Sequence, residues 1–260
     1  MSLSQQVAWK PEESPTILRR KSSPPLLVVI PAFNEEECIE DVLSTLLDQR
    51  DIDLHVLVIN DGSEDQTESI IRERMKNSDR LFILNLPINM GIGGAVQAGF
   101  KFAQRNDYAM VVQVDGDGQH RADQLHKVLE PIMENRADIV IGSRFLEKNG
   151  FNSSFFRTVG IKFFTTLISA LMRQQVTDPT SGFRAFSRAT INYLANNYAE
   201  DYPEPETIII LHRRKFRCTE VPVIMNCRAG GKSSISPLRS TYYMIKVTIA
   251  IVMDHFRRRI

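Results

Sequence analysis

Five short apolar runs, each followed by a polar cluster and most by a stretch with helical spacing, constrain this chain more than any other feature. They occupy residues 26–30, 54–59, 81–84, 109–114 and 139–142 and are rich in Val, Ile and Leu. Short, continuous and β-branched, such runs read as strands buried on both faces. Residues 35–48, 64–76, 93–104 and 123–135 carry the spacing of helices. Asn34 offers a cap to the first helix, and Glu35, Glu36 and Glu37 put acids in its first turn. The alternation predicts an α/β fold, a Rossmann-like, mostly parallel sheet flanked by helices. Sheets of this kind bind ligands beyond the carboxyl ends of their strands. The polar clusters fall at those ends: Asn34-Glu35, Asn60-Asp61, Asn89 to Gly94, Asp115 to His120, and Ser143-Arg144. Five strand ends therefore converge on one rim.

Length and charge divide the chain. Its 260 residues suit one main domain over 26–235, with a flexible tail at 1–25 and a basic amphipathic helix at 236–260. The net charge of +1 hides an asymmetry: from Thr207 onward eleven Lys/Arg face two acids, Glu220 and Asp254, which leaves a net −8 before them. A basic back suggests an anionic partner, a phosphate or an anionic membrane surface; nucleic acid is not expected. Phe164, Leu167, Ile168 and Leu171 follow helical spacing in a stretch without acids, and Tyr242, Ile245, Ile249, Val252, Met253 and Phe256 follow it around the single acid Asp254, ahead of Arg257-Arg258-Arg259. Such faces either pack on a core or lie in a membrane interface. No apolar run approaches the roughly 18–20 residues that cross a bilayer, and the first residues lack a leader's apolar core. A cytoplasmic protein, peripheral on the cytoplasmic face of a membrane, is expected. Cys38, Cys218 and Cys227 form no CxxC pair, against a disulfide scaffold or a cysteine zinc site.

Asp115-Gly116-Asp117-Gly118-Gln119-His120 carries the strongest chemistry. Two carboxylates two residues apart, with glycines that let the backbone turn, can hold a hard cation such as Mg²⁺ or Mn²⁺. Mg²⁺ held by so few carboxylates usually completes its shell with substrate phosphates. Gly91 and Gly93 lead into a helix whose start attracts anions, although Val96 breaks the dinucleotide fingerprint. Arg228 and Lys232 flank Gly230-Gly231 in a basic loop able to clamp phosphate. Asp178 to Arg184 reads as a polar turn between helical stretches.

Pro31-Ala32-Phe33-Asn34-Glu35, Asn60-Asp61-Gly62-Ser63, Asn89 to Ala95, Asp115 to His120, Gly142-Ser143-Arg144 and Asp178-Pro179-Thr180-Ser181-Gly182-Phe183-Arg184 stand in the order of family 2 glycosyltransferases. The chain resembles the dolichol- and polyprenyl-phosphate sugar synthases of that family. Glu220-Val221-Pro222 and the Arg228 to Ser233 block extend the match. The resemblance implies a GT-A fold, a nucleoside-diphosphate sugar donor, Mg²⁺ or Mn²⁺, inversion at the anomeric carbon, and a lipid-phosphate or glycan acceptor in cell-envelope or polysaccharide synthesis. It places Pro31, Phe33, Glu35 and Asp61 at the nucleoside, and Asp115, Asp117 and Gln119 at the metal. Asp115 also serves the ribose, and Arg228 and Lys232 close over the diphosphate. Arg144 and Arg157 meet an acceptor phosphate, Asp178 orients the acceptor side, and Arg184 joins the substrate contacts. A hydroxyl acceptor needs a general base, for which Glu206 is preferred over Glu204. The family's common Asp-Asp-Gly-Ser is here Asn60-Asp61-Gly62-Ser63.

Two other classes share the alternation. An NAD-dependent oxidoreductase needs a complete glycine fingerprint after the first strand, where Pro31-Ala32-Phe33-Asn34-Glu35 stands. A non-catalytic nucleotide-sugar-binding protein has no need of the Asp115/Asp117 pair. Nothing in the sequence sets the oligomeric state.

Overall fold

The computed structural model describes residues 26–147, 155–172, 174–199 and 203–226, with the helix backbone alone for 155–162 and 164. Among these residues seven strands form one sheet: β1 (Leu26–Ala32), β2 (Leu54–Asn60), β3 (Leu81–Asn85), β4 (Met110–Gln113), β5 (Ile139–Ser143), β6 (Arg184–Ser187) and β7 (Cys218–Pro222). The helices are α1 (Ile39–Leu47), α2 (Thr67–Met75), α3 (Gly91–Arg105), α4 (Leu125–Met133), α5 (Phe155–Met172), α6 (Arg188–Asn197) and α7 (Pro203–Arg213).

Strand β1 sits inside two cores at once. Leu26, Val28 and Ile30 pack with Leu43 and Leu46 of α1 and Leu125 and Val128 of α4. Leu27 and Val29 point the other way, to Val96 and Phe100 of α3 and Ile191 and Leu194 of α6. Covering both faces demands an apolar side chain at every position, which is why the strands read as unbroken hydrophobic runs. A third cluster seats Ile141 of β5 against Ile168 and Met172 of α5 and Ile208 and Ile209 of α7.

The strand order is β3-β2-β1-β4-β6-β5-β7. All pairings are parallel except those of β6, which runs against both β4 and β5. The chain moves outward through β2 and β3, then crosses to β4 on the far side of β1. A crevice opens where the order reverses in this way, beyond the carboxyl ends of the strands. The loops that leave β1 and β4 meet there: a Cβ on Gly116 would stand 3.3 Å from Glu35 Cγ and 3.5 Å from the Pro31 carbonyl oxygen.

Two expectations are corrected. Helix α1 begins at Ile39, and Asn34 does not cap it. A cap needs an extended backbone, whereas Asn34 has φ 55, the left-handed region that Asn tolerates. Its Oδ1 accepts from the Glu64 N–H at 2.8 Å, and its N–H donates to Ser63 Oγ at 3.0 Å. The residue ties two rim loops together. The second correction is β6: the turn expected to run from 178 to 184 between helices leads instead into a buried strand that Arg184 opens.

Candidate active site

One side of the rim is built by three interlocked loops. The Asp61 N–H donates to the Ala32 carbonyl at 2.8 Å, the Glu35 N–H to Thr67 Oγ1 at 2.9 Å, and the Glu36 N–H to Asp65 Oδ2 at 3.1 Å. Buried Asp61 turns its Oδ1 to the Met90 N–H at 2.7 Å and also receives the Gly91 N–H. Burial raises its pKa from the ordinary carboxylate value, and these two N–H donors only partly offset the rise. The anion that the start of α3 attracts is thus the chain's own Asp61. Gly91 has φ +76, and Gly93 is buried in the first turn of α3. Phe33 is 44% exposed above this wall, and Pro31 and Glu35 are half-buried beside it. Asn60 faces inward: its Oδ1 accepts from the Ser63 N–H and its Nδ2 donates to Asn85 Oδ1. An amide at 60 braces the turn at Asp61 rather than lining the rim.

The Asp115–His120 loop follows β4. Asp117 Oδ1 accepts the Gln119 N–H at 3.0 Å, and Gly118 takes φ +77 to allow that turn. His120 is buried, stacked on Phe183 with ring centroids 5.0 Å apart. Its Nδ1 accepts the Asp115 N–H at 2.9 Å, and its Nε2 lies 3.6 Å from Asp115 Oδ2. His120 therefore braces Asp115. After β7 the chain clasps the same loop: the Asn226 N–H donates to the Gln119 carbonyl at 2.9 Å, and Asn226 Nδ2 to the Gly118 carbonyl at 3.3 Å.

Asp115 Oδ1 is buried and has no hydrogen-bond partner. A buried carboxylate oxygen left unsatisfied is costly, so this atom is suited to a ligand. Asp115 and Asp117 offer hard oxygen donors on one short loop, with Gln119 half-buried beside them. This donor set fits Mg²⁺ or Mn²⁺ rather than zinc. Among the described residues, no group of three or more His, Cys, Asp or Glu side chains forms a complete metal cage. A cation here needs further oxygens from a substrate.

The far wall comes from the antiparallel strand. Because β6 runs against its neighbours, the segment before it, 177–183, lies on the rim. Gly182 presses on Asp115: a Cβ there would stand 2.9 Å from Oδ1 and 3.0 Å from Oδ2. Asp178, fully buried, takes Arg144 in a two-point pair, Nε to Oδ2 and NH2 to Oδ1, each 2.7 Å. Arg184 is 1% exposed, and its guanidinium donates to the carbonyls of Ser181, Glu204 and Pro179 at 2.7, 2.6 and 2.8 Å. The sequence grouped Arg184 with the substrate contacts; the structure spends it on holding the loop to α7. Glu204 and Glu206 stand in the first turn of α7. Burial raises the Glu204 pKa; Arg184 opposes that rise and the Asp115 charge adds to it. Glu204 is thus tied electrostatically to Asp115. The Arg157 side chain, Arg228, Lys232 and the helix expected at 236–260 lie outside the described residues.

Roles that sequence reasoning did not assign sit in Gly182 and Glu220, while His120, which the sequence set beside the metal motif as a phosphate or metal contact, instead braces Asp115. Gly182 lay inside a recognised block, but its role is a close approach that only coordinates reveal.

The glycosyl transferase family 2 model matches residues 27–194, from β1 into α6. This chain belongs to that family. A UDP-N-acetylglucosamine–dolichyl-phosphate N-acetylglucosaminyltransferase of Methanococcus voltae is 31% identical over 216 residues, 76% of this chain and 84% of the relative. A dolichyl-phosphate beta-glucosyltransferase of Trichomonas vaginalis is 30% identical over 240 residues, 86% and 71% of the two chains. In three dimensions the glycosyltransferase is similar to glucosyl-3-phosphoglycerate synthase of Mycobacterium tuberculosis, solved with Mn²⁺, UDP and phosphoglyceric acid. The TM-score is 0.68 at 21% identity, over 90% of this chain and 79% of the other. That likeness bears on the fold, which is GT-A.

Proposed function

We propose that this glycosyltransferase moves a sugar from a nucleoside-diphosphate sugar to a polyprenyl phosphate, with Mg²⁺ or Mn²⁺ and with inversion at the anomeric carbon. The observation that carries the reading is the partnerless, buried Asp115 Oδ1 at the crevice between β1 and β4, with Asp117 two residues on. Asp115, Asp117 and Gln119 would hold the cation, which when bound neutralises charge on the departing diphosphate. Phe33, Pro31, Glu35 and Asp61 line the nucleoside side, with Gly91 and Gly93 behind them. Arg228 and Lys232 follow the clasp at Asn226 within a few residues and would close on the diphosphate.

On the acceptor side Arg144 and Arg157 meet the phosphate, and Asp178 holds Arg144 in place. A phosphate oxygen attacks the anomeric carbon as the bond from that carbon to the diphosphate breaks. Such an acceptor is already an anion and needs no base. The reading of a lipid phosphate is supported by the names of the relatives from Methanococcus voltae and Trichomonas vaginalis. Glu206 becomes a base only for a hydroxyl acceptor.

A donor-by-acceptor screen tests this directly. UDP- and GDP-sugars are offered with a short-chain polyprenyl phosphate or with free glycans, with and without Mg²⁺ or Mn²⁺. Metal-dependent product in the lipid phase is expected. Product formed only on glycans, or undiminished by chelator, overturns the reading.

A further inference from the structure

Two carboxylates stand in series behind Arg144. Glu220 lies on β7 opposite Ile141 of β5. Its Oε2 accepts the Thr177 N–H at 2.7 Å and the Thr177 hydroxyl at 2.8 Å, and its Oε1 accepts the Asp178 N–H at 2.8 Å. Asp178 then receives the Arg144 N–H, Nε and NH2. The Arg144–Asp178 end of this chain of bonds is buried, with the Arg144 side chain 5% exposed and that of Asp178 0%, and the Thr177–Glu220 end is half-buried.

We propose that Glu220 is a positioning residue for the acceptor side: by gripping two consecutive residues it sets where Asp178 stands, and so which way the Arg144 guanidinium faces. The inference rests on the reading that Arg144 meets the acceptor phosphate. A guanidinium–carboxylate pair with two parallel bonds is planar and directional, so the orientation of Arg144 follows that of Asp178. Asp178 sits in a loop, and its backbone N–H is spent on Glu220 rather than on a neighbouring strand. A strand-borne carboxylate gives that loop the rigidity of the sheet.

The grip acts on one half of the loop. The second half is held by other bonds: Ser181 Oγ donates to the Gly142 carbonyl at 2.7 Å, and Arg184 holds the carbonyls of Ser181 and Pro179. Gly182, which touches Asp115, belongs to that half. Loosening Glu220 therefore disturbs the acceptor side and spares the metal and nucleotide side. A glutamine at 220 supplies one acceptor oxygen and an NH2 group. At least one N–H of Thr177 or Asp178 then faces another donor and must shift.

The test compares the full-length protein with E220Q, R144K and the double variant. Three readouts are taken: nucleotide affinity in the presence of Mn²⁺, kcat and KM for the acceptor, and the NMR resonance of the Arg144 Nε–H, assigned by its loss in R144K. In E220Q, nucleotide affinity should stay within about twofold and kcat/KM for the acceptor should fall ~10- to 100-fold, the scale of a misplaced binding group. The Arg144 Nε–H resonance should move or broaden, and the double variant should lose no more than the worse single one. Additive losses, equal loss of nucleotide binding, or an unchanged Nε–H resonance overturn the inference. Transfer by the wild type to hydroxyl acceptors alone sinks the lipid-phosphate reading, while the resonance still judges Glu220. Should E220Q not melt cooperatively, Thr177→Val removes a single donor to Glu220 and carries the same readouts.

Discussion

At the scale of single residues, the site turns on what surrounds Asp115. Its Oδ2 faces His120, its Oδ1 has no partner, and Gly182 stands where a methyl group would collide with both oxygens. Relief in Gly182→Ala comes from swinging the short Asp115 side chain, because the loop is anchored on both sides. We expect metal-dependent nucleotide affinity to fall about tenfold, equal to ~1.4 kcal/mol. Overpacking should cost ~1–3 kcal/mol of stability. Calorimetry and a thermal melt separate the two; a lowered melting point with unchanged affinity would reduce Gly182 to a packing role. Asp117→Ala, by contrast, removes a charge and adds no bulk. Turnover should drop ~10²–10³-fold, the scale of losing one preorganised electrostatic contact, at near-native melting temperature. Glu206→Gln discriminates between acceptors: turnover on a lipid phosphate should hold within about threefold, whereas loss of a general base costs ~10²–10⁴-fold on a hydroxyl.

At the scale of elements, the antiparallel β6 organises the far wall of the site, and it was the least legible part of the sequence. The parallel strands announced themselves because burial on both faces forces unbroken apolar runs. Arg184-Ala185-Phe186-Ser187 shows no such run, and its leading arginine looks like a ligand contact. Only the three carbonyls around the guanidinium reveal it as a clamp. Asn34 misled for a related reason, since capping and left-handed turns favour the same residue. The five polar strand ends were legible because topology alone brings them to one rim. At the opposite pole, β5 and β7 are joined by Asp138 and Arg217. The Arg217 N–H and Nε reach Asp138 Oδ2 at 2.8 and 3.0 Å, and NH2 reaches Oδ1 at 3.0 Å. The Arg217 side-chain bond, with burial opposing, holds the Asp138 pKa below its ordinary 3.8. A depressed carboxylate stabilises the fold above its unfolded pKa, and that contribution fades as pH falls through the folded value. The melting-point gap between wild type and Asp138→Asn should therefore be full at neutral pH and shrink below about pH 4. A gap that is constant across the acid range would mean that the tie acts through shape alone.

For the whole molecule, the question is how the lipid phosphate proposed as acceptor would be met. No helix among the described residues is long and apolar enough to cross a membrane. The excess of positive charge after Thr207 is not all near the site, however. Arg213, Arg214, Lys215 and Arg217 lead into the start of β7, which pairs with the start of β5, at the pole away from the rim. Arg217 is committed to Asp138 there, and Arg214 lies over the Tyr193 ring at 5.3 Å. Seven Lys/Arg and one acid, Asp254, remain from Arg228 onward, in the chain that leaves beside the Asp115–His120 loop. Attraction to an anionic surface contributes about 1 kcal/mol per basic residue near it and decays over roughly a Debye length, ~10 Å at 0.1 M salt. Binding built on that segment should thus be strong at low salt and lost at high salt. Flotation with liposomes provides the measurement. The full chain should rise with anionic vesicles at low ionic strength, stay down with neutral ones, and be released by about 0.5 M salt, where screening is shorter still. Truncation after residue 235 should abolish flotation while metal-dependent nucleotide binding persists. Equal flotation on neutral vesicles would point to apolar insertion instead of charge, and failure to float at any salt would leave the acceptor to be delivered by another protein.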